Sequence, residues 1–200
     1  MAVTLDSLAA VQGCSEDDAC AQLAAGAPIV VSSRSEGGTG ILVAAAASVS
    51  TSTSAFMVRH SSGLLQIALP SERCERLLLP PMNPFDTSGV RVCVAVDAIR
   101  GTGTGISAAD RATTARALAG HAATAEEFTR PGHLIPVSVE PDAATLPIPA
   151  AVALDLVGRA GMSNGALFAG LVGIADPTRM ITHAECVAFA DRHALPLHTV

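Results

Sequence analysis

Short apolar runs alternate with capped helical segments along the whole chain, and no run is long enough to stand alone. The runs at Ile29 to Ser32, from Ile41, Leu64 to Leu69, Val90 to Val96, His133 to Glu140, Ala166 to Ile174 and Leu197 to Val200 read as strands. Between them lie stretches with helix starts and stops. Ser15 begins a Ser-x-x-acid pattern before a helix that ends at Gly26, and a second helix runs from about Ser52 to His60 and stops by Gly63. Ser71 opens a helix through Leu78, closed by Pro80-Pro81, and Ser107 with Asp110 opens one that reaches Ala119. A helix over Ala150 to Ala160 ends at Gly161, and Thr182 with Glu185 starts a last one to His193. The alternation is not one of strict βαβ units. The fold class expected is α+β: a single mixed-sheet domain spanning residues 1–200, with helices packed around the sheet and residues 1–14 as a loosely ordered N-terminal segment.

Half of the residues are apolar, enough for one sizeable core, and no linker composition divides the chain. The net charge of -6 and the lack of a basic run exclude a nucleic-acid binder, which must neutralise phosphates. The longest strongly apolar stretch, Ile41 to Val49, falls far short of the roughly 18 residues that cross a bilayer, and the N-terminus has no signal pattern. A cytoplasmic protein with no membrane partner is expected. All 12 basic residues are arginine, which excludes a Schiff-base lysine and a phosphate-loop lysine. Cys14, Cys20, Cys74, Cys93 and Cys186 show no metal-finger spacing and read as buried or idle thiols. His121, His183, His193 and His198 read as surface residues.

Two polar loops are candidates for chemistry. "SSRSEGGTG", Ser32 to Gly40, lies between two apolar strands, and "GTGTG", Gly101 to Gly105, runs into a helix N-terminus where free backbone N–H groups converge. Arg34 and Thr39 in the first loop can hold an anion or a carbonyl, and Glu36 can act as a base. Thr104 and Asp110 flank the second loop, although Asp110 is also explained as the helix-start partner of Ser107.

"FMVRHSSG" (residues 56–63), "LPPM" (79–82), "GTGTGISAADRATT" (101–114), "RPGH" (130–133) and the closing "AECVAFADRHALPLHTV" resemble the 3,4-dihydroxy-2-butanone 4-phosphate synthase family, in that order and spacing. The resemblance implies that family's α+β fold and a homodimer with active sites at the subunit interface. It also implies chemistry on ribulose 5-phosphate with magnesium: enolisation, skeletal migration and loss of formate. Within it, His133 matches a catalytic histidine and is the expected proton handler.

The acidic residues of the family's pattern are not matched. Its loop of the form D-D-E-D-R-E-N-E-G-D, placed with its glycine on Gly40, puts the metal-ligand glutamate on Gly37, the second glutamate on Thr39 and the last aspartate on Ile41. The leading aspartates fall on Ser32 and Ser33, and Glu36 stands where the family has an arginine. The family's R-x-G-H-T-E falls on Leu146, Pro149, Ala150 and Ala151, its late cysteine and glutamate on Phe168 and Ala169, and its cysteine-bearing strand on Gln66-Ile67-Ala68. A hard cation needs several anionic oxygens, so this comparison predicts no metal and no cofactor. The expectation is a repurposed homologue without synthase activity. It would handle a more apolar small-molecule intermediate by isomerisation, cyclisation or a lyase step, with Ile41, Pro149 and Phe168 lining the pocket. Two further readings are a non-catalytic ligand-binding protein and a weak synthase.

Overall fold

The computed structural model describes residues 16–35, 39–143, 148–162 and 164–200. The strands are β1 (Ile29–Ser32), β2 (Gly40–Ala45), β3 (Gln66–Pro70), β4 (Val90–Val92), β5 (Val96–Ala98), β6 (Phe128–Val139), β7 (Ala166–Gly170) and β8 (Leu197–Thr199). The helices are α1 (Glu16–Ala24), α2 (Thr51–His60), α3 (Ser71–Arg76), α4 (Ala108–Ala119), α5 (Pro149–Arg159) and α6 (His183–His193). Seven strands run in the order β4-β6-β3-β7-β2-β1-β8, and β5 pairs with β6 off this path. The β3/β6 and β1/β8 pairs are parallel, and the other pairs are antiparallel. This is the mixed α+β sheet expected from the alternation of elements.

β1 and β2 are buried along their whole length. A strand covered on both faces reads as a continuous apolar run, which is why neither shows alternation in sequence. In the structure the alternation is between two cores. Val30, Leu42, Ala44, Ile67, Leu69 and Leu167 join Met57 of α2, Leu118 of α4 and Phe189 of α6 in one. Ile29, Val31, Val43, Ala45, Ala68 and Ala166 join Leu23 of α1 and Leu156 of α5 in the other. Each fully buried leucine or isoleucine contributes about 2 kcal/mol through lost water contact.

Several helix boundaries follow from local chemistry. Ser50 Oγ accepts from Thr53 N–H at 2.9 Å, Ser107 Oγ from Asp110 N–H at 3.0 Å, and Thr182 with Glu185 forms the full capping box. Gly26 takes φ of 78° to end α1, with Ala27 N–H reaching back to the Gln22 carbonyl. The Ser15 helix start lies outside the described residues.

Three expectations need correction. The run Val90 to Val96 is not one strand. It breaks at Cys93, which bridges to Pro81, so that β4 and β5 pair with different parts of the long β6. Helix α3 stops at Arg76, with Pro70 rather than Ser71 as its cap. Leu78 then takes a left-handed turn at φ of 51°, and its N–H and that of Leu79 reach back to the Glu75 and Cys74 carbonyls. A helix-ending turn has here been built on a residue with a Cβ, so no glycine marks it in the sequence. The surface reading fails for His183, His193 and His198, which are all partly buried. His193 packs with His60, Phe56 and Phe189, with ring centroids 4.5 to 5.2 Å away.

Candidate functional site

β5 and the start of β6 place Asp97 beside His133. The Asp97 carboxylate accepts the His133 backbone N–H at 2.9 Å through Oδ1 and meets the imidazole Nδ1 at 2.7 Å through Oδ2. A carboxylate can only accept, so Nδ1 carries the proton in this pair and Nε2 is left to exchange one. Asp97 is buried, whereas the His133 side chain is 41% exposed. The buried group thus fixes the orientation of a solvent-facing one.

Two glycines make this pairing possible. A Cβ on Gly132 would lie 2.0 Å from the Val96 carbonyl carbon and 2.3 Å from the Asp97 nitrogen. Gly105 has φ of 87°, and a Cβ there would lie 1.9 Å from Asp97 Oδ2 and 2.7 Å from His133 Nδ1. The glycine-rich loop therefore closes over the Asp97–His133 pair. Asp110 anchors that loop: its carboxylate accepts from Gly103 N–H at 3.2 Å and from Gly105 N–H at 2.9 Å. The Gly103 hydrogen bond, with those of Gly105 and Ser107 and the nearby His133, holds the Asp110 carboxyl below the usual carboxylate range. Asp110 thus orders the backbone under the site, and Thr104 stands exposed on the loop. In the RPGH segment, Arg130 is occupied by carbonyls of Leu77, Ala125 and Phe128, which leaves His133 as that motif's chemical group.

The first loop forms a separate cluster. Arg34, Ser33 and Ser35 line a cavity of about 210 Å³ with Arg179, Met180, Ile181, Thr182 and His183. Ser32 Oγ lies 2.9 Å from His183 Nδ1. Arg179 pairs with Glu185 through both guanidinium nitrogens, at 2.8 and 3.0 Å. Thr39 is partly buried beside β2, and Glu36 and Gly37 lie outside the described residues. The strand register puts Ser32, Gly40, Gly170, Leu64 and His133 at one end of the sheet. Three strand spacings still separate β2 from β6, or about 14 Å. One chain therefore brings His133, Asp97, Thr104 and Asp110 together and sets Arg34 and Thr39 apart from them.

The Arg179 ion pair, with hydrogen bonds from Thr182, holds the Glu185 carboxyl far below its ordinary value of 4.5. A depressed carboxyl stabilises the fold above the unfolded-state value, and the contribution is lost as pH falls toward the folded-state value. Glu185→Gln should therefore melt below the wild type by a constant margin above about pH 5, and that margin should shrink on acidification. Thermal melts taken across this range check it; a margin that widens in acid would refute the assignment.

Ile41 and Phe168 are each only 4% exposed and pack in the core beneath α5. Pro149 occupies the first turn of α5, where its missing N–H costs nothing. Their apolar character is explained by packing between sheet and helix. Leu146 lies outside the described residues. Sequence reasoning missed Asp97, whose one local signal is a charged residue between Val96 and Ala98 in a buried strand. It also missed His183, which carries no local signal.

An imidazole oriented by a buried carboxylate lies under a glycine-rich loop at the end of a mixed α+β sheet, an arrangement able to exchange a proton. The family model of 3,4-dihydroxy-2-butanone 4-phosphate synthase matches residues 17–200, and the chain belongs to that family. It is 40% identical over 191 residues to the riboflavin biosynthesis protein RibBA of Mycobacterium ulcerans, and equally to that of Mycobacterium tuberculosis. These matches cover 93% of this chain and 45% of each relative, so the chain spans about half the length of the curated relatives. The 3,4-dihydroxy-2-butanone 4-phosphate synthase of Candida albicans superposes with a TM-score of 0.83 at 30% identity, over 92% of both chains. A synthase solved with two magnesium ions superposes at 0.81 and 35% identity, over 92% of this chain and 91% of that one.

These matches overturn the expectation of a repurposed, metal-independent isomerase or cyclase acting on an apolar intermediate. Relatives at this identity, over nearly the whole chain, carry the riboflavin-biosynthesis name, and the superposing structures are synthases. Among the described residues, no three His, Cys, Asp or Glu side chains converge in one group. No helix among the described residues is long and apolar enough to cross a membrane.

Proposed function

We propose that the chain is a slow lyase of the 3,4-dihydroxy-2-butanone 4-phosphate synthase type, releasing formate from ribulose 5-phosphate. The observation that carries this reading is the Asp97–His133 pair, with Nδ1 held at 2.7 Å and the imidazole facing solvent. Enolisation needs a proton removed from carbon and returned, and skeletal migration needs one taken from a hydroxyl as the carbon–carbon bond shifts; a histidine fixed in one tautomer can handle both. The exposed Thr104 hydroxyl of the 101–105 loop, next to the Gly105 that closes over this pair, supplies a hydrogen-bond donor for a hydroxylated substrate. Slow turnover follows from the neutral residues matched to the family's carboxylates, since general acid–base catalysis by one group contributes only about 10² to 10⁴-fold.

The reading includes a homodimer in the cytoplasm. The two polar clusters lie too far apart in one chain for a single sugar phosphate to bridge, and a second copy can bring the Arg34 cluster of one subunit to the His133 pair of the other. Incubation with ribulose 5-phosphate and magnesium should yield formate above the level given by His133→Ala. No difference between the two proteins would overturn the proposal. The neutral Ser32, Ser33, Thr39 and Ile41 of the first loop favour one other reading, a non-catalytic binding protein. That reading requires ribulose 5-phosphate to bind, by calorimetry, with no formate released.

A further inference from the structure

The cavity of about 210 Å³ between the first loop and the start of α6 carries a charge that no described residue answers. The segment after β1 supplies Ser33, Arg34 and Ser35, and the segment leading into α6 supplies Arg179, Thr182 and His183. The two guanidinium groups are placed differently. Arg179 gives both terminal nitrogens to Glu185, at 2.8 and 3.0 Å. Glu185 also accepts the Thr182 N–H at 3.0 Å, the Thr182 hydroxyl at 2.9 Å and the Ile174 N–H at 3.2 Å, so that ion pair is complete within its own segment. The Arg34 guanidinium has no ion pair or hydrogen bond among the described residues, and no carboxylate stands among the described residues that line the cavity. The space is therefore positive by one unpaired guanidinium.

The neutral groups of this cavity add donors. Ser33 Oγ accepts the Ser35 N–H at 3.2 Å and lies 2.7 Å from Ser35 Oγ. One proton serves that pair of hydroxyls, which leaves the other hydroxyl proton to donate outward. On the opposite wall, His183 Nδ1 lies 2.9 Å from the hydroxyl of Ser32, a residue only 1% exposed. When that buried hydroxyl donates to Nδ1, the proton of the imidazole is on Nε2, and the half-buried ring offers it as a further donor. A guanidinium, a hydroxyl and an imidazole N–H thus line one small space.

We propose that this cavity binds a phosphate group, carried by inorganic phosphate or by a small phosphorylated metabolite, with Arg34 as its charge partner. The planar guanidinium fork takes two oxygens side by side. A carboxylate has no oxygen beyond those two, whereas a phosphate keeps others for the serine hydroxyl and the His183 Nε2–H. The donor set therefore matches a tetrahedral oxyanion. The site is separate from the Asp97–His133 pair of the same chain, since three strand spacings, or about 14 Å, part β2 from β6. It stands without the lyase reading. Under that reading ribulose 5-phosphate is one such ester, and the cavity holds the end of the molecule that does not react.

Calorimetric titration of the full chain with inorganic phosphate tests this without any need for turnover. The wild type should bind one phosphate per chain, and Arg34→Gln should weaken binding by at least about tenfold. Arg100→Gln removes the same charge from an exposed position outside the cavity and should bind as the wild type does. Ribulose 5-phosphate titrated into phosphate-saturated protein separates the two sources. An affinity lowered by the phosphate marks the sugar ester as an occupant, and an unchanged one marks free phosphate or another monoester. Phosphate should also raise the melting temperature of the wild type above its value in sodium chloride of equal ionic strength, a result that stands whether or not the variant folds. Wild-type protein without saturable phosphate binding, equal melting temperatures in the two salts, or an Arg34→Gln protein that binds as tightly as the wild type would overturn the proposal.

Discussion

Asp97→Asn should leave the fold intact and lower formate release by about 10²-fold or more. The asparagine carbonyl can still accept the His133 backbone N–H, as Asp97 Oδ1 does at 2.9 Å. Its amide must then face Nδ1, where the carboxylate Oδ2 now sits at 2.7 Å. An amide donates, so it selects the imidazole tautomer with the proton on Nε2 and removes the base from the nitrogen that meets substrate. Nitrogen NMR of His133 gives a readout independent of turnover: the proton should move from Nδ1 to Nε2. An unchanged tautomer together with an unchanged rate would show that Asp97 does not position His133.

Gly132→Ala should cost about 3 kcal/mol or more of stability and lower the melting temperature by roughly 6–12 °C. The added methyl would sit 2.0 to 2.5 Å from three backbone atoms of Val96 and Asp97. Backbone atoms in a paired strand cannot swing aside as a side chain can, so β5 must part from β6. The strand that parts is the one carrying Asp97, so the acid–base pair should be lost along with stability. Gly158→Ala provides the contrast. A Cβ there meets nothing within 4 Å and lies in α5, so it should stabilise by about 0.5–1 kcal/mol. A Gly132→Ala protein that melts with the wild type would refute the close approach of the two strands.

The acid–base pair was half visible in the residues. His133 stands in a motif that draws the eye, and the chemistry of imidazole makes it a candidate without a structure. Asp97 stands in Val96-Asp97-Ala98, with no motif and a partner far along the chain. Its role depends on a register that shifts between Val96 and Asp97, and an irregularity of that kind leaves no local pattern. Two apolar residues, Ile41 at an expected aspartate and Phe168 at an expected cysteine, misled in the opposite direction. Ile41 and Phe168 suggested a remade pocket, yet both pack beneath α5, where hydrocarbon is what a two-sided sheet needs. Burial on both faces explains their chemistry without any ligand.

From the residues in order came the mixed α+β sheet, the capped starts of α4 and α6 and the glycine end of α1. These rest on forces between near neighbours: side-chain caps, backbone preferences and the period of apolar positions. What the tertiary structure alone decided is which distant groups meet. It set Asp97 against His133 and His183 against Ser32, and it divided the buried residues between two cores. Such meetings depend on strand order and register, which are chosen by the total burial of the whole chain and so are written in no single stretch of it.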